Sequence, residues 1–144
     1  MTVFRPGRRW FTVASLALAF AGALHTWGQL QPPPPDPALL STVAAMRAFT
    51  FAFGALTPSL WDVHRSLHFT MSTLLLALAA ANLLVVASAE APPRLLRRFA
   101  ALSTLCAAAL VALYAFYQVL PPLLVLAPVA VLFAVAWLRA PRAA

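Results

Sequence analysis

The chain has 144 residues, of which 63% are hydrophobic and only 9% are charged. A soluble domain is normally about a quarter charged, so this composition excludes an ordinary soluble domain and indicates a polytopic membrane protein with one domain, residues 1–144. The formal charge of +7 comes from ten arginines without any lysine. Because these arginines flank apolar segments and form no basic face, they indicate membrane topology and give no reason to expect a nucleic-acid partner.

Four apolar segments are long enough, or nearly so, to cross a hydrocarbon core of about 30 Å as helices. They are predicted at residues 10–30, 58–89, 99–120 and 121–138, with an outer loop at 31–57. The sequence therefore predicts an all-α, integral membrane four-helix bundle with a short amphipathic helix in the outer loop. An uncleaved first helix is preferred to a signal peptide, because the apolar run continues past the small residues Ala19 and Ala21 to Leu24.

The arginines predict the orientation of these spans. Eight of the ten lie on one side of the predicted membrane: Arg5, Arg8, Arg9, Arg94, Arg97, Arg98, Arg139 and Arg142. By the positive-inside rule this side is the cytoplasm, so we expect a protein of the bacterial inner membrane with both termini in the cytoplasm. The other two arginines, Arg47 and Arg65, then lie toward the outside.

The outer loop begins with a proline-rich segment, QPPPPDP, which predicts a semi-rigid polyproline II spacer. Asp36 then provides an N-cap ahead of Pro37, which suits the first turn of a helix. The following residues predict an amphipathic helix within the segment from Asp36 to Phe53, ended by Gly54. A loop merely packed on the membrane is the alternative. A second cap-and-proline pattern places the start of the next long helix near Pro58.

Polar residues collect where this second long helix begins, in the stretch SLWDVHRSLHF. At about 100° per residue, one arc of the helix carries Trp61, His64, Arg65 and His68. Polar residues on a membrane helix normally face other helices, because lipid offers them no hydrogen-bond partner. Asp62 lies away from His64, so we expect it to pair with Arg65 or to cap the helix start.

The first and third spans bring further polar residues to the same outer level. They are His25 and Gln29 near the end of the first span, and Tyr114, Tyr117 and Gln118, which i,i+3,i+4 spacing places on one face of the third. Together with the polar arc of the second span, they predict an outward-facing polar pocket between helices.

Connected spans usually pack side by side, and this predicts that His25 and His68 contact each other between the first two spans. His64 and His68, at i,i+4 spacing, suit a metal ion, and His25 would be required as a third ligand. A hydrogen-bonded packing role is the alternative for these histidines. The tryptophans and tyrosines at this level also fit an aromatic belt at the membrane surface.

The motifs GALHTWGQ, AAMRAFTF and SLWDV together resemble a family of small, uncharacterised bacterial four-helix membrane proteins. The resemblance covers the first two spans and the outer loop, whereas the last two spans match only in hydropathy. It places family residues on His25, Met46, Arg47, Trp61 and Asp62. After the Trp-Asp pair the family tends toward aromatic and glycine residues, so the resemblance implies no role for His64 and His68, and it implies no activity.

Enzyme motifs are missing from the sequence, which has no phosphate-binding glycine loop, no HExxH, no GxSxG and no pair of intramembrane carboxylates. The sequence therefore favours a non-enzymatic protein whose outward pocket binds a small hydrophobic molecule, or one that packs as a subunit of a membrane complex or with copies of itself. In a binding protein the polar face should converge on one cavity, and in a subunit it should spread over the exterior. The alternative is a redox or metal-binding subunit whose histidines, from the first two spans, ligate haem b or a metal ion.

Overall fold

A computed structural model of the protein describes residues 6–88 and 92–141. Over these ranges the chain forms five helices, which are α1 (Pro6–Leu30), α2 (Pro37–Ala48), α3 (Leu60–Ala87), α4 (Pro93–Phe116) and α5 (Leu120–Arg139). All of them except α2 are long and apolar enough to cross a membrane. The predicted fold class, an all-α membrane protein with four spans and a short helix in the loop after the first, is confirmed. Arg5, Arg142 and the predicted end of the second span at Ala89 lie outside the described residues.

The fourth helix begins earlier than hydropathy predicts. It starts at Pro93 instead of near Phe99, so Arg94, Arg97 and Arg98 form its first turns. Proline is tolerated at the first helical position, and arginine is a good helix former. Hydropathy marks where a helix can enter lipid, and the helix itself extends beyond that point.

The short helix α2 begins where the sequence predicts and ends sooner. The Asp36 carboxylate caps it by accepting a hydrogen bond of 2.8 Å from the backbone N–H of Ala38. The helix ends at Ala48, because the next residues, FTFAF, are mostly aromatic or β-branched residues that favour extended backbone. The predicted role of Gly54 as a helix stop is wrong. Gly54 has a φ of +60° and forms the turn of a small hairpin between α2 and α3.

The described contacts divide the chain into two compact units, Met1–Ala21 with Leu75–Ala144, and Gly22–Leu74. That residues 1–144 form one domain stays a prediction. In the first unit, Phe11 of α1 packs edge-on against Phe133 of α5, with ring centroids 5.8 Å apart. Gly7 allows the two helices to approach closely, since a Cβ there would lie 2.8 Å from the Ala140 Cα atom.

Arginines of the first unit bind the carbonyl groups at the ends of helices. The Arg8 guanidinium donates a hydrogen bond to the Val86 carbonyl near the end of α3. Arg97 Nη1 donates to the carbonyl of Ala140, the C-cap of α5, at 3.1 Å. Basic groups stabilise helix C-termini, where carbonyl groups lack partners within the helix. Two of the arginines from which the orientation is predicted, Arg8 and Arg97, therefore also bind carbonyl groups at helix ends.

Candidate functional site

All three histidines of the chain lie in the second unit, residues Gly22–Leu74. The contact predicted between His25 and His68 is present, with His25 Nε2 lying 3.1 Å from His68 Nδ1. Both side chains are half-buried. One imidazole must donate an N–H and the other must accept, so the accepting ring is neutral.

The ring contacts continue along α3. His64 meets His68 edge-on with ring centroids 4.3 Å apart, and Trp61 stacks on His64 with centroids 5.5 Å apart. We call Trp61, His64, His68 and His25 the aromatic row. Helical spacing explains its order, because residues three and four positions apart are neighbours on one face of a helix. The Arg47 guanidinium, from α2, lies 5.6 Å from the centre of the Trp61 ring, so the short helix contacts the Trp61 end of the row.

A capping box sets the start of α3. Asp62 Oδ2 accepts hydrogen bonds from the Ser59 backbone N–H at 2.9 Å and from Ser59 Oγ at 2.6 Å, and Ser59 Oγ accepts one from the Asp62 N–H at 3.1 Å. These reciprocal bonds satisfy donors that a helix start leaves without partners. Of the two partners predicted for Asp62, the helix start is therefore the one that the structure provides. Arg65 lies over the Phe69 ring instead, 5.5 Å from its centre.

Ser72 lies one helical turn after His68, and sequence reasoning assigned it no binding role. Its side chain is only 3% exposed, and among the described residues its Oγ atom has no hydrogen-bond partner. Other helical hydroxyls of this unit bond back to the preceding turn, as Thr26 does to the Gly22 carbonyl and Thr73 to the Phe69 carbonyl. A buried polar atom without a partner is unusual in proteins and calls for an explanation. The signal in the sequence was the i,i+4 spacing of His68 and Ser72, which places both on the same face of α3.

Not all of the remaining predicted residues belong to the unit that holds the aromatic row. Gln29 lies one turn beyond His25 in α1 and is half-buried. Tyr114, Tyr117 and Gln118 belong to the first unit, and their predicted common helical face is wrong because α4 ends at Phe116.

A Schellman motif ends α4 at this point. The N–H of Gln118 donates to the Ala115 carbonyl at 3.2 Å, and that of Val119 donates to the Tyr114 carbonyl at 2.9 Å. Gln118 adopts a φ of +56°, the left-handed conformation that this helix end requires. Pro121 and Pro122 follow directly at the start of α5. The chain therefore turns where i,i+3,i+4 spacing assumed a continuous helix.

The predicted metal and haem sites can be compared with this geometry. Within residues 6–88 and 92–141, no group of three or more His, Cys, Asp or Glu side chains is arranged to hold a metal ion. Two axial imidazoles of a haem keep their nitrogens about 4 Å apart, twice a typical metal–imidazole bond. The nitrogens of His25 and His68 are 3.1 Å apart, which leaves no room for a porphyrin between them. Among the described residues, the three histidines thus form a row joined by one hydrogen bond and by ring contacts, and not a ready ligand set.

Comparison of the chain with protein-family models, with curated proteins and with solved structures finds no match. The resemblance to a family of small bacterial four-helix membrane proteins therefore stays an expectation from three motifs. The geometry of the aromatic row and of Ser72 is therefore the basis for a function.

Proposed function

We propose that the protein is a non-enzymatic, multi-pass protein of the bacterial inner membrane whose aromatic row binds a small hydrophobic molecule at the extracytoplasmic side. The observation that carries this proposal is the pair formed by His25 and His68, two half-buried imidazoles that lie 3.1 Å apart on membrane-spanning helices. Ionisable residues within such helices are rare, and they commonly mark a functional site.

The row offers polar atoms beside aromatic faces. The hydrogen bond uses one nitrogen of each imidazole, so His25 Nδ1 and His68 Nε2 take no part in it. Ser72 adds a buried hydroxyl one turn away, and Trp61 adds an apolar surface at the other end. A few convergent polar groups among aromatic side chains are typical of small-molecule sites. We therefore expect the ligand to be mainly apolar and to carry a hydroxyl, carbonyl or similar hydrogen-bonding group.

The distribution of polar residues supports a binding protein over a subunit of a larger complex. Three histidines and one tryptophan from two helices converge in a single row, as is expected of a binding site. The predicted polar pocket also included Tyr114, Tyr117 and Gln118, and the proposal does not depend on them.

Loss of a bound molecule is the test of this function. Wild-type protein purified from membranes should release a small molecule on extraction with organic solvent, detected by mass spectrometry. His68→Phe keeps a ring of similar size and removes both nitrogens, and Ser72→Ala removes the hydroxyl, so both variants should lose most of that molecule. Thr73→Ala is the matched control, because Thr73 is exposed and bonds only to its own helix. Equal extracts from all four proteins would contradict the proposal, and a stoichiometric metal or a Soret band would favour the metal or haem alternative.

The orientation requires its own test. Both termini are proposed to be cytoplasmic, which places the aromatic row toward the outside. A reporter that works only in the cytoplasm should be active when fused after Ala144 and inactive when inserted within residues 32–35. The reverse pattern would move the row to the cytoplasmic side.

A further inference from the structure

The segment between α2 and α3, residues 49–59, forms a small hairpin that we call the aromatic hairpin. The Phe51 N–H donates to the Pro58 carbonyl at 3.0 Å, and the backbones of Phe53 and Leu56 exchange two hydrogen bonds of 2.9 and 3.0 Å. The turn consists of Gly54 and Ala55, and the positive φ of Gly54 suits a tight hairpin turn. These bonds give the segment a defined shape.

The large apolar side chains of the aromatic hairpin are exposed. Phe53 is 77% exposed, Leu56 is 67% exposed and Phe49 is 57% exposed. No charged residue occurs from residue 48 to residue 61. Grouped apolar side chains on a surface mark a site where a protein or a membrane binds.

The position of the hairpin in the chain indicates whether a protein or a membrane contacts these apolar side chains. The hairpin ends at Ser59, and α3, a candidate membrane span, begins at the next residue. The 28 residues of α3 extend over about 42 Å, whereas the hydrocarbon core is about 30 Å thick and the bilayer with its headgroups is about 40–45 Å thick. The first turns of α3 therefore lie at the level of the headgroups, and the hairpin is attached there without a linker.

The hairpin is also long enough to return to the lipid. Ser59 follows Leu56 by three positions, which corresponds to about 10 Å of extended chain. Aromatic and aliphatic side chains are favourable at the boundary between headgroups and acyl chains. The two charges nearest in sequence do not oppose insertion, because Arg47 lies over Trp61 and Asp62 binds Ser59.

We propose that the aromatic hairpin binds the bilayer itself, with Phe53 and Leu56 inserted into the interfacial layer of the leaflet next to the start of α3. This contact holds the outer end of α3 at a fixed depth. The proposal is independent of the ligand of the aromatic row, since it rests only on the hairpin and on the membrane span that follows it.

Fluorescence quenching in vesicles tests the insertion. Ala55→Cys, in a Cys106→Ser background, places a label in the exposed turn and keeps Phe53 and Leu56. In phosphatidylcholine vesicles, its bimane label should lose most of its fluorescence to lipids that carry a nitroxide near the headgroup, and little to aqueous iodide. Pro34→Cys is the control, because it lies in the exposed proline segment and should show the opposite pattern.

A second variant separates insertion from mere proximity. Adding Phe53→Ser and Leu56→Ser to Ala55→Cys should move the label into water, so that iodide quenches it as strongly as at position 34. Strong iodide quenching of Ala55→Cys with the apolar residues intact would overturn the proposal. Protection from both quenchers, with disulfide cross-linking between copies of the unlabelled Ala55→Cys variant, would also overturn it and assign the hairpin to self-association.

Discussion

The buried pair formed by Asn82 of α3 and Ser103 of α4 permits a quantitative test of what holds the first unit together. Asn82 Nδ2 donates to Ser103 Oγ at 2.9 Å, and Ser103 Oγ lies 3.2 Å from Asn82 Oδ1, to which it can donate in return. Both side chains have 0% exposure. The perturbation is Ser103→Ala, which removes a methyl-sized hydroxyl and leaves both polar atoms of Asn82 without that partner.

Two effects set the size of the loss. A typical hydrogen bond contributes about 1 kcal/mol net, but a buried polar group left without a partner costs about 1–3 kcal/mol. Hydrogen bonds between membrane helices average about 0.6 kcal/mol and reach about 1.7 kcal/mol. Because Asn82 is fully buried and loses a partner for both its nitrogen and its oxygen, we expect Ser103→Ala to lower the free energy of unfolding by about 1.5 kcal/mol, near the upper end of that range.

Unfolding in detergent, followed by circular dichroism, measures this loss. Ser15→Ala is the matched control, because Ser15 is also fully buried but its hydrogen bond within the described residues goes to the Phe11 carbonyl of its own helix. Ser15→Ala should lower the free energy of unfolding by less than about 0.5 kcal/mol. The double variant Asn82→Leu with Ser103→Ala should recover most of the stability, since no polar group then remains unpaired. Equal losses for Ser103→Ala and Ser15→Ala, or a double variant as unstable as the sum of the single ones, would refute the reasoning.

Four further substitutions act on the backbone or the cap of a helix and are measured by the same unfolding assay. Gly7→Ala should destabilise the protein by about 1–3 kcal/mol, because the new Cβ would lie 2.8 Å from the Ala140 Cα atom. Gly28→Ala should instead stabilise the protein by about 0.5–1 kcal/mol, because a Cβ at Gly28 would have no neighbour within 4 Å. Gln118→Gly should raise the free energy of unfolding by about 1 kcal/mol, since glycine adopts without strain the positive φ that follows the end of α4. An unchanged or lower free energy of unfolding would contradict this explanation. Asp36→Ala should lower the free energy of unfolding by about 1 kcal/mol, because the cap of α2 is lost. An unchanged free energy of unfolding would show that packing alone holds this helix. The aromatic row permits a test of coupling between its two helices: His25→Ala and His68→Ala should not be additive, because residues in contact couple by about 0.5–3 kcal/mol. The double variant should therefore lose less stability than the sum of the two single variants, and strict additivity would show that the 3.1 Å contact contributes nothing measurable.

The parts of this protein that sequence alone determined depend on local chemistry. Four spans follow from apolar length, because a helix must keep about 20 residues in hydrocarbon whatever it packs against. The start of α2 follows from Asp36, since an N-cap acts on backbone N–H groups only two or three residues away. The approach of His68 to His25 was also predictable, because consecutive spans pack side by side and both histidines lie near the same end.

The tertiary structure decided what depends on partners that are distant in sequence. A polar residue such as Asn82 on a membrane helix normally faces another helix, but only the packing selects Ser103 as its partner, 21 positions away. Helical spacing likewise places Ser72 on the same face of α3 as His68. Only the packing shows that the Ser72 hydroxyl is buried without a partner among the described residues. The hairpin after α2 and the end of α4 at Phe116 were missed because apolar and aromatic residues suit helices and extended segments alike. Hydrogen bonds between residues such as Phe51 and Pro58 decide between them, and these form only when the chain has folded.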